Sequence, residues 1–505
     1  MAIKVGGTTV VDDSRALTNV ASIDATTAAS ISAAGVGGGG SRDFVASGAV
    51  SNGDLVGLNS DGTISTLSQA LSSDVVVFSA TSDGPIKVAY DTNSNKVLVV
   101  YKDGNTGANN AIVGTVSGGT ITYGTPVAIT YYKTTIDLIF DPNQNKFLYI
   151  SLTGNTIKYN VITISGTVPT VNSEADFLTG YSFYNGNFTF DSSSNKIIFG
   201  WTTGTTSPRG AYSAYAGVVT ISGTTASMGT PVAISPAGTG YQFYTVCSYD
   251  AGQNKVLFTF RDADNSNYAA AVVGTVSGTS LSMGTKVIYT SANAGLVNMV
   301  YDTSANKTLI AFQMSATTQA VIATISGTTP SFSSIFNMGL LGPSNGDITF
   351  DSTNNVSVIM GKKDSNIVSV LTVKISGSSI SFSDITVIDP LNGQNVDVVF
   401  DPDSATNVVI WTTSSQYKVE SALFDAGALP ANKFVGIAEE NIANAATGAC
   451  TIVGGVNSSQ SGLTTSAGYY IQDSATITTT VTAGRRVGTA LSATELLITN
   501  GGVEL

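Results

Sequence analysis

From Ile86 the chain alternates between apolar and polar positions in short bursts. "IKVAY" (86–90) is followed by a polar run, "DTNSN" (91–95), and then by "KVLVVY" (96–101), "NAIVGTV" (110–116), a Ser-Gly pair and "ITYGTPVAI" (121–129). Period-two alternation bounded by Asp, Asn, Ser and Gly predicts β-strands joined by tight turns, four to a unit. The unit recurs. Its aromatic–Asp pairs are Tyr90-Asp91, Phe140-Asp141, Phe190-Asp191, Tyr249-Asp250, Tyr301-Asp302, Phe350-Asp351 and Phe400-Asp401, with successive Asp residues 50, 50, 59, 52, 49 and 50 positions apart. A Ser-Gly turn recurs with them, at Ser117-Gly118, Ser165-Gly166, Ser222-Gly223, Ser277-Gly278, Ser326-Gly327 and Ser376-Gly377. Glycine there supplies the positive φ of a tight hairpin.

Four hairpin-linked strands at this period are the signature of a propeller blade, and the rungs of a parallel β-helix are much shorter. Seven units predict seven blades. The seventh ends at "YKVESALFDAG" (417–427) without its outer strand, while a strand of that type, "DVVVF" (74–78), stands alone before the first unit. Pairing 74–78 with the strand around 417–424 closes the ring and leaves no blade incomplete. The expected fold is all-β: a seven-bladed β-propeller inserted into a small β-domain and preceded by an extended N-terminal arm. The expected divisions are an arm at 1–36, a Gly linker at 37–41, the first part of the small β-domain at 42–70, the propeller at 71–428 and the second part of the small domain at 429–505. Residues 42–66 offer at most three strands, too few to stand alone, so they are expected to join the later segment.

Composition narrows the function. Charged residues make up 11 % of the 505, far below the usual quarter or so, and apolar residues 42 %, so solubility rests on Ser, Thr, Asn and Gly. A net charge of −12 argues against a nucleic-acid partner, which needs clustered Lys and Arg. No run of apolar residues is long enough to insert in a membrane. The N-terminus lacks the layout of a signal peptide, so the chain is expected to stay where it is made or to leave within a larger assembly. Cys247 and Cys450 share no metal spacing and read as buried free thiols.

Candidate chemistry is sparse. The absence of His removes Ser-His-Asp catalysis and the commonest metal ligand. Asp91, Asn93 and Asn95 have the D-x-N-x-N spacing of a calcium loop, repeated at Asp141, Asn143 and Asn145. Lys96 and Lys146 stand where that loop needs Gly, however, and no Glu closes it. A turn explains the same letters: Asp accepts backbone N–H bonds and Asn adopts the left-handed conformation. Neither Trp201 nor Trp411 sits in a sialidase-type Asp-box, and no carboxylate pair stands out for glycoside cleavage. No enzyme activity, cofactor or metal is expected. Tyr131, Tyr132, Tyr181, Phe183 and Tyr184 lie between one blade's outer strand and the next inner strand, where aromatics could stack on a glycan or simply pack.

Residues 1–36 are too poor in large apolar groups to fold alone. Val5, Val10, Val11, Leu17, Val20 and Ile23, with Asp12, Asp13 and Arg15, suit an attachment arm ordered by a partner. "MAIKVGGTTVVDDSRALTNVASID" resembles the N-terminal motif of tail-fibre and other virion proteins of marine, especially cyanobacterial, bacteriophages. "FVASGAVSNGDLVGLNSDGTI" and "FVGIAEENIANAATG" resemble a small β-domain of phage structural proteins, some of which carry "YDTNSNKVLVVYKDGN" repeats between its halves. The resemblance implies a virion surface protein, on tail or capsid, that is no enzyme. The first reading is a tail fibre or receptor-binding protein, anchored by its arm, with the propeller facing a host surface glycan or envelope protein. The alternative is a capsid decoration or a structural tail part of the nozzle or adaptor type. A polysaccharide depolymerase is a third, weaker reading. Other virion proteins are the expected partners of the arm and small domain, and a homo-oligomer, a trimer by preference, is expected.

Overall fold

The computed structural model describes residues 3–5, 8–11 and 40–499, except 60, 69, 79–83, 132–133, 155, 180–182, 204–212, 235–241, 315–316, 340, 364–366, 384, 391–392, 414–417, 430–432, 473–475 and 481–484. The chain divides into two compact units, Leu71–Gly427 and, on either side of it in sequence, Met1–Ala70 with Ala428–Leu505.

Leu71–Gly427 is a β-propeller. In the first sheet the inner strand Lys87–Asp91 pairs with Lys96–Lys102, that with Ala108–Ser117, and that with Thr120–Tyr123 and Val127–Tyr131. The order repeats from the inner strands Thr134–Asp141, Phe183–Asp191, Gln242–Asp250, Ala294–Asp302, Leu341–Asp351 and Gly393–Asp401, giving seven sheets. Each inner strand adjoins the next, and the last adjoins the first. Closure follows the expected route. Val419 pairs with Phe78, Glu420 with Val76 and Ser421 with Val75, and Leu71 bridges to Phe424. The seam is apolar: Val77, Val408, Ile410, Val419 and Leu423 pack on Ile86, Val88, Val97, Val99 and Tyr101. Between the first two blades Leu98, Val100 and Val113 meet Leu138, Phe147 and Tyr149 in the same manner.

One expectation changes. "ITYGTPVAI" is two strands rather than one, broken at Gly124-Thr125-Pro126, and both halves pair with Ala108–Ser117. Pro126 offers no N–H to the ladder. A Cβ on Gly124 would overlap the carbonyl oxygen of Thr167 in the next blade, as one on Gly229 or Gly284 would overlap those of Thr279 and Thr328. In these three blades the break brings the outer strand against the neighbour's Ser-Gly-Thr hairpin. It also interrupts the outer edge, where a flat strand would invite foreign pairing.

The repeated Asp makes a turn. Asp91 Oδ1 accepts from Asn93 N at 2.8 Å and Ser94 N at 3.1 Å, and Asp141 Oδ1 accepts from Asn143 N and Gln144 N at 3.0 Å. The same pair of bonds forms at Asp191, Asp302, Asp351 and Asp401. At Asp250 one bond comes from Gln253 N, and Gly252 N donates to the Tyr301 hydroxyl instead. Four residues after each Asp the backbone is left-handed, with φ between 52° and 54°. Asn holds that place six times, at 95, 145, 195, 254, 306 and 355, and Ala405 holds it in the seventh. An Ala there bears the steric penalty that Asn reduces. Ala405→Asn is expected to stabilise the protein by about 0.5–1 kcal/mol, read as a higher melting temperature. An unchanged or lower value would count against it.

In the second unit, Ser41–Val45, Thr447–Thr451, Phe434–Ala438, Leu55–Leu58 and Ile64–Thr66 form one sheet in that order, so strands from both chain segments interleave. Val456–Asn457, Leu496–Ile498, Arg485–Ala490, Gly468–Ile471 and Ile477–Thr478 form another. Leu55, Leu67, Phe434, Ile437, Tyr469, Ile471, Val487 and Leu496 share one core. Near the N-terminus Ile3–Val5 pairs with Thr8–Val11.

Candidate functional site

The seven inner strands place one residue each at a shared register, four before the turn Asp: Lys87, Asp137, Asn187, Val246, Asn298, Asp347 and Asp397. Most of these side chains reach the following blade. Asp137 Oδ2 accepts from Phe188 N at 2.7 Å, Asn187 Oδ1 from Cys247 N at 2.7 Å, and Asp347 Oδ2 from Val398 N at 3.4 Å. Asn298 Nδ2 donates to Gly346 O and Asp347 Oδ1, both at 3.0 Å. Asp397 Oδ2 accepts from Val88 N at 2.6 Å, across the seam from last blade to first. Lys87 returns the contact, its Nζ 3.2 Å from Asp397 Oδ1. This belt escaped the sequence reading. Its signal was a polar letter at one fixed offset from six of the seven Asp residues (Val246 is the exception), visible only when the seven units are laid over one another.

The belt is electrostatically tense. Burial alone would lower the Lys87 ammonium, but Asp397, Asp347 and Asp137 together hold it well above its ordinary value. Burial pushes the Asp397 carboxyl well up, and neighbouring Asp347 adds to the rise that Lys87 opposes. Burial likewise raises Asp137 from 3.8 to about 6, against the pull of Lys87 and the Phe188 N–H. Because the folded value is the higher one, the protonated form favours the fold. The contribution is fully present below the unfolded value and is lost as pH rises through about 6. Asp137→Asn keeps an acceptor for Phe188 N, as Asn187 does for Cys247 N. It is expected to flatten that slope and raise stability at pH 8 by roughly 1–2 kcal/mol. Denaturant melts at pH 4, 6 and 8 check it, and an unaltered pH slope would refute it.

The two faces of the ring differ. On one face every Asp turn has four residues between strands and every Ser-Gly turn has two. On the other, connections between second and third strands run from two residues (154–155, 315–316) to ten (204–213), and those from outer to next inner strand from one (340) to eight (79–86, 234–241). Blade four gathers charge and an aromatic there. Tyr244 sits at φ 56° beside a break in register between Phe243 and Val246, and the Arg261 guanidinium lies 5.2 Å from its ring centroid. A bulky residue in left-handed backbone is held there by its surroundings. Buried Asp262 binds Lys286 Nζ at 2.6 Å and Asn265 Nδ2 at 2.6 Å.

Of the aromatics singled out for glycan stacking, Phe183 is half-buried and packs on the apolar cluster of Phe188, Phe199 and Trp201. Tyr131 and Tyr184 lie on strands, and Tyr132 and Tyr181 lie outside the described residues. Of the arm residues, Val5, Val10 and Val11 lie on the two N-terminal strands, whereas Asp12, Asp13, Arg15, Leu17, Val20 and Ile23 lie outside the described residues. Cys247 and Cys450 are buried free thiols, and burial pushes both up, Cys450 to about 12.

No family model matches the chain and no curated protein matches it. Among solved structures it is similar to a protein from Lactobacillus plantarum, at 11 % identity and TM-score 0.44 over 68 % of this chain and 97 % of that one. It is also similar to the β-propeller domain of Cps50 (Swd1) from Myceliophteria thermophila, at 8 % identity and TM-score 0.45 over 69 % and 99 % of the two chains. A third is the Dos1 propeller, at 12 % identity and TM-score 0.43 over 72 % and 96 %. The sheet order and its cyclic closure define this chain as an all-β protein with a β-propeller between the halves of a smaller β-unit.

Proposed function

We propose that the protein is a phage virion surface protein of the tail-fibre or receptor-binding kind, held by its N-terminal arm, with the propeller turned toward the host. The observation that carries this reading is the contrast between the two faces of the ring: uniform turns on one, connections of unequal length on the other. Recognition uses variable loops on a rigid scaffold. Tyr244 and Arg261, both partly exposed, give that face an aromatic ring beside a cation, a chemistry suited to glycan rings and hydroxyls. The N-terminal motif supplies the virion part of the reading.

The competing reading, a capsid decoration or a nozzle or adaptor of the tail, draws on Val45, Val453, Val456 and Leu491, each between 42 % and 48 % exposed on the smaller unit. Two measurements separate them. A receptor-binding fibre is present in few copies per particle, and the purified protein binds host cells saturably, with binding lost in a Tyr244→Ala, Arg261→Ala double variant that melts normally. Abundance matching the major capsid protein, with no binding to cells, would overturn the fibre reading in favour of decoration.

A further inference from the structure

We propose that Lys87 and Asp397 condense into an intramolecular amide bond, which closes the ring covalently between its first and last inner strands. Four features meet at this seam. The Lys87 amine nitrogen lies 3.2 Å from Asp397 Oδ1. The other oxygen of the same carboxyl, Oδ2, accepts the Val88 N–H at 2.6 Å, so a backbone donor already faces the oxygen on which charge would develop. A second carboxyl, Asp347, reaches the same place from the preceding blade: its Oδ2 accepts the N–H of Val398, next to Asp397, at 3.4 Å, and its Oδ1 accepts from Asn298 Nδ2 at 3.0 Å. The Asp397 side chain is 2 % exposed, whereas that of Lys87 is 27 % exposed, which leaves water a way out on the lysine side.

The chemistry balances without any further reactant. The charged pair is the resting form; in its minor neutral form one proton has passed from the ammonium to Asp397 Oδ1, giving a neutral amine beside a neutral acid, with Asp347 still a carboxylate. The amine lone pair attacks Cγ of Asp397, and the charge that gathers on Oδ2 is held by Val88 N–H. Asp347 takes a proton from the attacking nitrogen and passes it to Oδ1, which leaves as water. One C–N bond forms, one C–O bond breaks, one water departs, and Asp347 returns to its starting state. Nothing is oxidised or reduced. Amide formation is unfavourable between dilute groups in water. Groups fixed in contact react with effective molarities on the order of 10⁵–10⁸ M, which is the advantage this packing provides. The product also replaces a buried carboxylate and its half-buried ammonium partner with a neutral amide, which removes the desolvation cost of the carboxylate.

The decisive measurement is the intact mass of the full-length folded protein, sprayed from denaturant. One water less than the sequence requires is expected, with a branched tryptic peptide joining the Lys87 and Asp397 segments. Lys87→Arg, which keeps the positive charge, should restore the full sequence mass. Asp347→Asn, which keeps a hydrogen-bonding group but no acid, should do the same. Wild-type protein that shows the full sequence mass and no branched peptide overturns the proposal whatever the variants do. A branched peptide that persists in Asp347→Asn overturns the role given to Asp347.

Discussion

Deletion of residues 75–78 is expected to unfold the whole ring, not to trim one blade. These residues are the outer strand of the last sheet, supplied from the opposite end of the propeller sequence. Val77 is buried in the seam, and Phe78 lies 4.7 Å from the ring of Tyr101 in the first blade, so the deletion strips apolar cover from both sides of the closure. Burial of a Val or Phe side chain is worth about 1.5–3 kcal/mol each. The unpaired edge of Val419–Phe424 adds a further cost, which includes the bond from Ser421 Oγ to Val75 O at 3.3 Å. Together these approach the total stability of an ordinary domain, about 5–15 kcal/mol. Limited proteolysis and thermal melts of the deletion variant check this. A cooperative transition within a few degrees of the parent would refute the closure argument.

Removal of residues 1–39 is expected to do the reverse: no change in melting temperature and, on the virion function proposed above, complete loss of incorporation into particles. The core residues described for the smaller unit begin at Phe44 and Ala46, and those of the propeller at Val75. The cut spares Gly40, whose carbonyl accepts the Ile452 N–H. Within the arm the described structure is one hairpin, Ile3–Val5 with Thr8–Val11, and an isolated two-stranded hairpin is marginal in water. Such a segment gains order by adding to a partner's sheet. The truncated protein, purified and added to arm-dependent assembly reactions or expressed in infected cells, should melt like the parent and be missing from purified particles. Its presence there would move the attachment to the smaller β-unit, and a lowered melting temperature would make the arm part of the core.

The parts legible in the sequence were those written locally. The Asp turn is set within five residues, because Asp, two N–H groups and a left-handed Asn are neighbours in the chain; seven copies therefore announced seven sheets. The closing strand was legible by subtraction, one outer strand missing at 427 and one spare at 74–78. What stayed hidden depends on residues that meet only across blades. Gly124 reads as an ordinary turn glycine until Thr167 of the next blade is seen to occupy the space of its Cβ. Asp137 and Asp397 read as polar positions in an alternating strand. Their carboxyls prove to cap N–H groups at Phe188 and Val88, 51 residues away in one case and 309 in the other. Phe183 was judged from its place between blades, whereas its neighbours Phe188, Phe199 and Trp201 decide that it packs.

The route of the chain through the last sheet has a mechanical consequence. The propeller joins the rest of the protein at two crossings, 70–71 and 427–428, and the bridge between Leu71 and Phe424 sets them side by side. On the function proposed above, any tension passed into the propeller from the rest of the chain would enter the ring through two strands of a single sheet. A pull along those strands shears Val419–Phe424 against Thr406–Thr413, where six residue pairs, from Asn407 with Phe424 to Thr412 with Val419, share the load at once. A strand peeled from one end gives up its bonds singly; here they must fail together.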